Sequence, residues 1–324
     1  MSEVVAEAAL VEGKTQAGVR YRAKDKTPRS RRSKLRLRNT LLGWSFIAPN
    51  FIGFALLTLL PILALFYVSF TDWNAFGQAN WIGLDNFRRL FTKEPNFEIA
   101  LKNTLYYTVL HVPLTMAASL GLAILLNRKL KGVTFFRTAA FFPYICSIVA
   151  VAVVWNALFH PEYGPINEVL RFIGIDDPPR WTVSKEWAMP AVVIVGTWRE
   201  MGYYMLLYLA GLQTIPREQY EAASLDGASS WQQFLYVTWP GLRPQTFFIA
   251  VMLTIGSMKV FDLVLVMTDG GPGTATLVLS QLIWNKSFKE TGQFGYASSI
   301  AVVLFVICLV FTLVQFFVNK RNQK

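Results

Sequence analysis

Charge is scarce in this chain. Of 324 residues only 16% are Asp, Glu, Lys or Arg, while 53% are hydrophobic and 15% aromatic. That balance excludes an ordinary soluble domain, in which about a quarter of residues are charged. Cysteine and histidine are rarer still, with two of each. Cys146 and Cys308 lack any C-x-x-C spacing, so neither a disulfide framework nor a thiolate metal site is expected, and both read as small apolar packing residues. His111 and His160 form no H-E-x-x-H, and no metal ligands are expected. There is no G-x-S-x-G elbow either. Gly13-Lys14-Thr15 resembles the end of a phosphate loop, but its first glycine would fall on Ala8, with no strand before it. No catalytic residues are therefore expected, and ATP hydrolysis is not expected of this chain.

What the sequence has is long apolar blocks. They lie near 41–70, 104–127, 135–159, 187–213, 245–267 and 295–318, each long enough for a hydrocarbon core of roughly 30 Å. The expectation is an all-α polytopic membrane protein with six spans. About forty polar, basic residues precede the first block, too long a leader for a cleaved signal peptide, so that block is kept as a span. Counting Lys and Arg on alternate sides gives twenty on the side of the N-terminus and nine on the other. Both termini are then cytoplasmic by the positive-inside rule, in a bacterial cell membrane. The net charge of +11 and the run RSRRSKLRLR at 29–38 fit anchoring on anionic lipid better than nucleic acid. Residues 1–40 read as a basic, partly disordered cytoplasmic arm, and 41–324 as the membrane domain.

Between the fourth and fifth blocks lies EAASLDGASSWQQFLYVTWPGLRP, residues 221–244. Pro216 suits a first helical turn, Glu218 and Glu221 favour the positive end of the helix dipole, and Gly227 suits a left-handed cap. Tyr220, Ala223, Ser224 and Gly227 would share one face, small enough for another surface to approach. By physics alone a linker helix in the lipid interface, with Trp231, Tyr236 and Trp239, fits as well.

The spacing Glu221-Ala222-Ala223, Gly227, Val237-Thr238-Trp239-Pro240 resembles the EAA motif of binding-protein-dependent ABC importer permeases. Val237 and Trp239 stand where Ile and Leu are usual there. NWIGLDNFRRLF (80–91), Phe141-Phe142-Pro143, PEYGPINEVLRFIG (161–174), LAGLQTIP (209–216) and TDGGPGTAT (268–276) narrow the resemblance to the sugar permeases of the maltose and glycerol-phosphate kind. It covers the chain from about residue 41 onward. The resemblance implies a type I importer permease whose loop 214–244 carries a coupling helix, with Glu221, Ala222, Ala223, Asp226, Gly227 and Pro240 contacting a separate ATPase. It also implies a second permease, two nucleotide-binding ATPase subunits that hold ATP and Mg, and an extracytoplasmic solute-binding protein. Trp81, Trp181 and the turn Asp269–Gly273 are the outer-loop candidates for docking that protein.

Charges inside spans cost about 2.5 to 3.5 kcal/mol each on insertion scales and mark functional sites by default. Arg199 and Glu200 lie midway along the fourth block; Lys259 and Asp262, at i and i+3 on the fifth, would share a helix face. They form either two neutralising ion pairs or, with Thr197, Tyr203, Tyr204 and Ser257, a polar lining for a sugar ring. The resemblance implies the second reading and adds Leu253, since the relatives hold substrate with segments matching 197–204 and 253–257. Arg199, Glu200 and Lys259 depart from their neutral pattern. The expected cargo is an oligosaccharide; alternatives are a glycerophosphodiester or glycerol phosphate, which Arg199 and Lys259 would meet, or an ion-coupled sugar symporter, for which no repeated halves are visible. A membrane transferase using Glu200 and Asp262 as acid and base lacks a donor-binding motif.

Overall fold

The computed structural model describes residues 29–128, 131–290 and 292–322. The Gly13-Lys14-Thr15 tripeptide and the basic arm up to residue 28 lie outside the described residues. The chain divides into two units, Met1–Ile62 and Leu63–Lys324.

The first unit is helical throughout its described part: α1 (Arg29–Phe54), a π-helical turn (Ala55–Leu59), and the start of α2 (Leu60–Val68), which runs on into the second unit. The wide turn has a local cause. Its capping N–H, on Leu60, donates to Ala55 O, and Pro61 follows immediately. A proline in a helix collides with the carbonyl four residues back, and one i→i+5 turn relieves the collision. The same arrangement recurs at Phe234–Thr238, where Trp239 N–H donates to Phe234 O just before Pro240.

The second unit contains α3 (Asp85–Lys93), α4 (Pro95–Leu126), α5 (Val133–Ile145), α6 (Ile148–Leu158), α7 (Pro165–Phe172), α8 (Lys185–Thr214), α9 (Arg217–Leu225) and α10 (Ser230–Gln233). After the second π turn come α11 (Trp239–Gly241), α12 (Arg243–Met258), α13 (Asp262–Met267), α14 (Leu279–Trp284), a third π turn (Asn285–Lys289) and α15 (Phe294–Asn322). The described residues contain no sheet, only an isolated antiparallel bridge between Thr71 and Trp81.

α8 is the axis of this unit, buried along most of its length and packed against α4, α5, α12 and α13. Its glycines set how closely the neighbours approach, as small residues do in membrane bundles. A Cβ at Gly202 would overlap the backbone carbonyl of Ala140 on α5, and one at Gly196 would press on Tyr107 and His111 of α4. α4 is polar on its inner face. Thr104, Thr108, His111, Thr115 and Ser119 follow a three-and-four spacing and are all buried, whereas Val109, Leu110, Leu114 and Leu125 are exposed. That reverses the soluble pattern and suits a helix whose outer face meets lipid.

All six apolar blocks are helical, but six uninterrupted spans are not what the structure contains. Among the described residues three helices are long and apolar enough to cross a membrane, Leu42–Val68, Pro95–Leu126 and Phe294–Arg321. A fourth span arises if α5 and α6 count as one; they bend by 99°, because Cys146 and Ser147 are extended between them. The block 187–213 forms α8, which is long enough but carries Arg199 and Glu200 on its inner course. The block 245–267 is divided into α12, of 16 residues, and α13, of six.

Gly202→Val places two methyl groups where the Ala140 carbonyl already sits. Overpacking of this kind costs about 1–3 kcal/mol, so thermal unfolding in detergent is expected to begin at a clearly lower temperature than for the parent.

Candidate functional site

The division of the fifth block defines the site. α12 stops at Met258; Lys259 and Val260 close it with 3₁₀-type bonds from their N–H groups to Gly256 O (3.1 Å) and Ser257 O (3.2 Å), and α13 restarts at Asp262. Lys259 and Asp262 therefore do not share a continuous helix face, contrary to the sequence expectation. Beside the break is a cavity of about 170 Å³, lined by Tyr107 of α4, Gly196, Arg199 and Glu200 of α8, and residues 256–263 apart from Met258.

Five expected substrate residues meet in this cavity: Arg199, Glu200, Ser257, Lys259 and Asp262. Arg199 Nη1 is 3.8 Å from Glu200 Oε1, its guanidinium lies 5.3 Å from the Tyr144 ring centroid, and Nη2 donates to Tyr144 O at 3.4 Å. Tyr203 stacks on Tyr144 with centroids 4.5 Å apart. It thus reaches the cavity by way of Tyr144 and Arg199. Thr197, Tyr204 and Leu253 are instead buried in the bundle; Thr197 Oγ1 accepts from Thr115 Oγ1 at 3.2 Å, and Leu253 and Tyr204 pack in one apolar cluster. Of the two ion pairs considered, only the loose Arg199–Glu200 contact is present. Among the described residues neither Lys259 nor Asp262 has an opposite charge within 4.0 Å, and both are exposed.

His111, not singled out in the sequence for this cavity, lies directly behind its wall. It is 1% exposed, with Nδ1 2.9 Å from Ser257 Oγ, Nε2 3.9 Å from Glu200 Oε2, and its ring stacked on Tyr107 at 4.9 Å. Its Nε2 has no hydrogen-bond partner among the described residues. The signal was available, since an ionisable residue inside an apolar span is a functional candidate whether or not it has metal spacing.

The loop 214–244 forms the expected short helix. Pro216 sits just ahead of α9 at the N-cap position, and Gly227 is left-handed at φ +76° after Asp226, the exposed C-cap residue. Part of the expected contact face meets the chain itself: Tyr220 Oη lies 2.9 Å from Thr238 Oγ1, and Gln233 Nε2 donates to Ser224 Oγ at 3.0 Å, while Ser224 and Gly227 stay exposed. Glu218, Glu221, Ala222 and Leu225 form the outward face, with Leu225 89% exposed; Ala223 and Pro240 are half-buried. Ser229 and Gln232 complete a capping box that starts α10.

The outer loops are braced internally. Asp269, at φ +47°, accepts from Lys289 Nζ (2.8 Å) and Gln281 Nε2 (2.9 Å), holding the Asp269–Gly273 reversal. Trp181 stacks on Phe159 at 4.8 Å and donates to Asn167 Oδ1 at 2.7 Å, whereas Trp81 is 61% exposed.

Apolar-coated helices long enough to cross a membrane mark the chain as a multi-pass membrane protein. The family model described as "Binding-protein-dependent transport system inner membrane component" matches residues 116–324, and the chain belongs to that family. It is 38% identical over 282 residues to the probable ABC transporter permease protein YesP of Bacillus subtilis, covering 86% of this chain and 90% of that one. It is 35% identical to the lactose transport system permease protein LacF of Rhizobium radiobacter, covering 90% and 98%. Among solved structures, a chain of a bacterial ABC transporter involved in the import of the acidic polysaccharide alginate is similar at a TM-score of 0.78 and 26% identity, covering 90% of this chain and 100% of that one.

Ser257→Ala would leave the buried His111 Nδ1 without its partner. The cost of such an orphaned group is about 1–3 kcal/mol; the variant is expected to unfold earlier on heating in detergent, and Ser257→Thr, which keeps the hydroxyl, to recover part of the loss.

Proposed function

We propose that this chain is the non-catalytic permease subunit of an ATP-driven, binding-protein-dependent oligosaccharide importer. The observation that carries the reading is the outward face of α9, where Glu218, Glu221, Ala222 and the 89% exposed Leu225 stand free of the chain's own packing. An exposed leucine in a carboxylate-bearing helix on a polar loop is a contact surface that a partner covers. In this reading α9 is the coupling helix, Glu221, Ala222, Ala223, Asp226, Gly227 and Pro240 shape it, and two ATPase subunits supply ATP and Mg chemistry from outside this chain.

The cavity beside Lys259 is the cargo site. It is small, and Lys259 and Asp262 are exposed at its rim, as expected of half a pathway completed by a second permease. Arg199, Glu200, Ser257, Lys259 and Asp262 offer donors and acceptors for sugar hydroxyls, Tyr107 adds an aromatic wall, and His111 and Tyr144 stand behind them. Thr197, Tyr203, Tyr204 and Leu253 act behind this lining. Carbohydrate cargo is supported by the lactose permease name of one relative and by the alginate importer. The latter's complex with an alginate pentasaccharide-bound periplasmic protein supports a soluble binding protein as the outer partner here, with Trp81 and the braced Asp269 loop on the docking side. An acidic sugar is the second reading, favoured by the absence of a carboxylate within 4.0 Å of Lys259 among the described residues.

The excess of Lys and Arg on the side of α9 supports cytoplasmic termini, with the basic residues up to 40 on the cytoplasmic side and 41–324 as the permease domain. Transport then proceeds by alternating access: ATPase closure moves α9, and the helix groups packed on α8 reorient around the break.

Glu221→Lys reverses a charge on the outward face, and Gly227→Asp forces a side chain into a left-handed cap. Both are expected to reach the membrane in normal amount and lose at least tenfold of ATP-dependent uptake in proteoliposomes with the partner subunits. Normal uptake by both would remove α9 from the coupling path.

A further inference from the structure

A second cavity, separate from the transport site, lies between α12 and α15. Its volume is about 610 Å³, and its walls include Trp239, Arg243, Phe247, Ala250, Val314 and Val318. The two helices are antiparallel and held together by an edge-on contact of Phe247 with Phe316, at 5.0 Å, and by Gln315 Nε2 donating to Thr254 Oγ1 at 2.8 Å. Phe247, Ala250, Val314 and Val318 form an apolar strip along the groove, Thr246, Gln315 and Asn319 add polar groups to its walls, and one end is cationic. Arg243 is exposed there, and Lys320 and Arg321 follow within a turn of Val318 on α15.

The charge of this region has one sign. No Asp or Glu occurs between Asp226 and Asp262, and none follows Glu290. Arg243 accordingly has no carboxylate within 4.0 Å among the described residues. An exposed guanidinium at the mouth of a groove with an apolar strip between membrane helices, without an acidic neighbour, asks for an anion that carries its own hydrocarbon. Trp239 stands at the same end, 41% exposed, where an indole suits the level of the lipid ester groups.

We propose that this groove binds one anionic phospholipid, with an acyl chain along Phe247, Ala250, Val314 and Val318 and its phosphate on Arg243. The phosphate would sit three residues after Pro240, so the lipid fixes the exit of the α9 loop where it re-enters the membrane. The charge complementarity favours this occupant over an apolar helix from another subunit, which would leave Arg243 without a counter-ion.

Native mass spectrometry of the full chain, purified in mild detergent with its copurifying subunits and titrated with phosphatidylglycerol or phosphatidylcholine of the same acyl chains, tests the assignment. One phosphatidylglycerol per chain should be retained at a several-fold lower concentration than phosphatidylcholine. Arg243→Gln should abolish that preference, and Ala250→Trp, which fills the groove, should remove retention of either lipid. Equal retention of the two lipids by the parent would overturn the proposal. So would a phosphatidylglycerol preference unchanged in both variants, which would place the lipid elsewhere or another subunit in the groove. Binding of glycerol phosphate as tightly as phosphatidylglycerol would identify a simple anion site and overturn the lipid assignment. ATP-driven uptake is read separately, so none of these results decides the transport reading.

Discussion

A charged helix can cross an apolar bundle only if protein surrounds it. α8 meets that condition: its Arg199 and Glu200 stand among α4, α5, α12 and α13, and its glycines let those neighbours come close enough to exclude lipid. The rest of the second unit follows from this packing. α4 turns its hydroxyl stripe and His111 toward α8 and its leucines away. α5 places Tyr144 beside Arg199 just before its 99° bend into α6. Polar groups that would be costly in lipid are thus gathered in the interior, where several of them pair, among them Thr115 with Thr197 and His111 with Ser257.

The second consequence is the interruption at 259–261. A helix that continued through Lys259 would keep its backbone groups paired with each other. Stopping at Met258 and restarting at Asp262 instead places irregular backbone, a lysine and an aspartate against the cavity, which is where membrane proteins tolerate non-helical chain. The site is therefore built from a helix break on one side and a rigid, glycine-fitted helix on the other. Such a combination can change shape at the break without repacking α8.

Much of this was legible in the sequence, and the exceptions have physical causes. Composition located all six apolar blocks, because burial in lipid demands apolar side chains whatever the tertiary fold. It could not locate the breaks: Lys259-Val260-Phe261 contains no glycine or proline, and a hydropathy average runs smoothly across it. The charges that mark the cavity were visible for the same reason that they are costly. Thr197, offered for its hydroxyl, and Leu253, added by the resemblance, proved to be packed inside, since a segment can flank a site while individual side chains face away. His111 was weighed only as a metal ligand, although its place in the repeat Thr104, Thr108, His111, Thr115, Ser119 was readable at helical spacing. The surroundings of α9 were not readable because small residues suggest close approach without saying to what; here Tyr220 meets Thr238 of the π turn and Ser224 meets Gln233 of α10.

The central claim is that the Leu225 face of α9 is where ATP-driven motion enters this chain. Incorporation of the photo-crosslinking residue p-benzoylphenylalanine in place of Leu225, illumination in native membranes and mass spectrometry of the product would test it directly. The account predicts a single major adduct to a nucleotide-binding ATPase subunit, lost when the same residue replaces Tyr220 on the inward face. Adducts to lipid alone, or an equal yield of ATPase adduct from position 220, would contradict it.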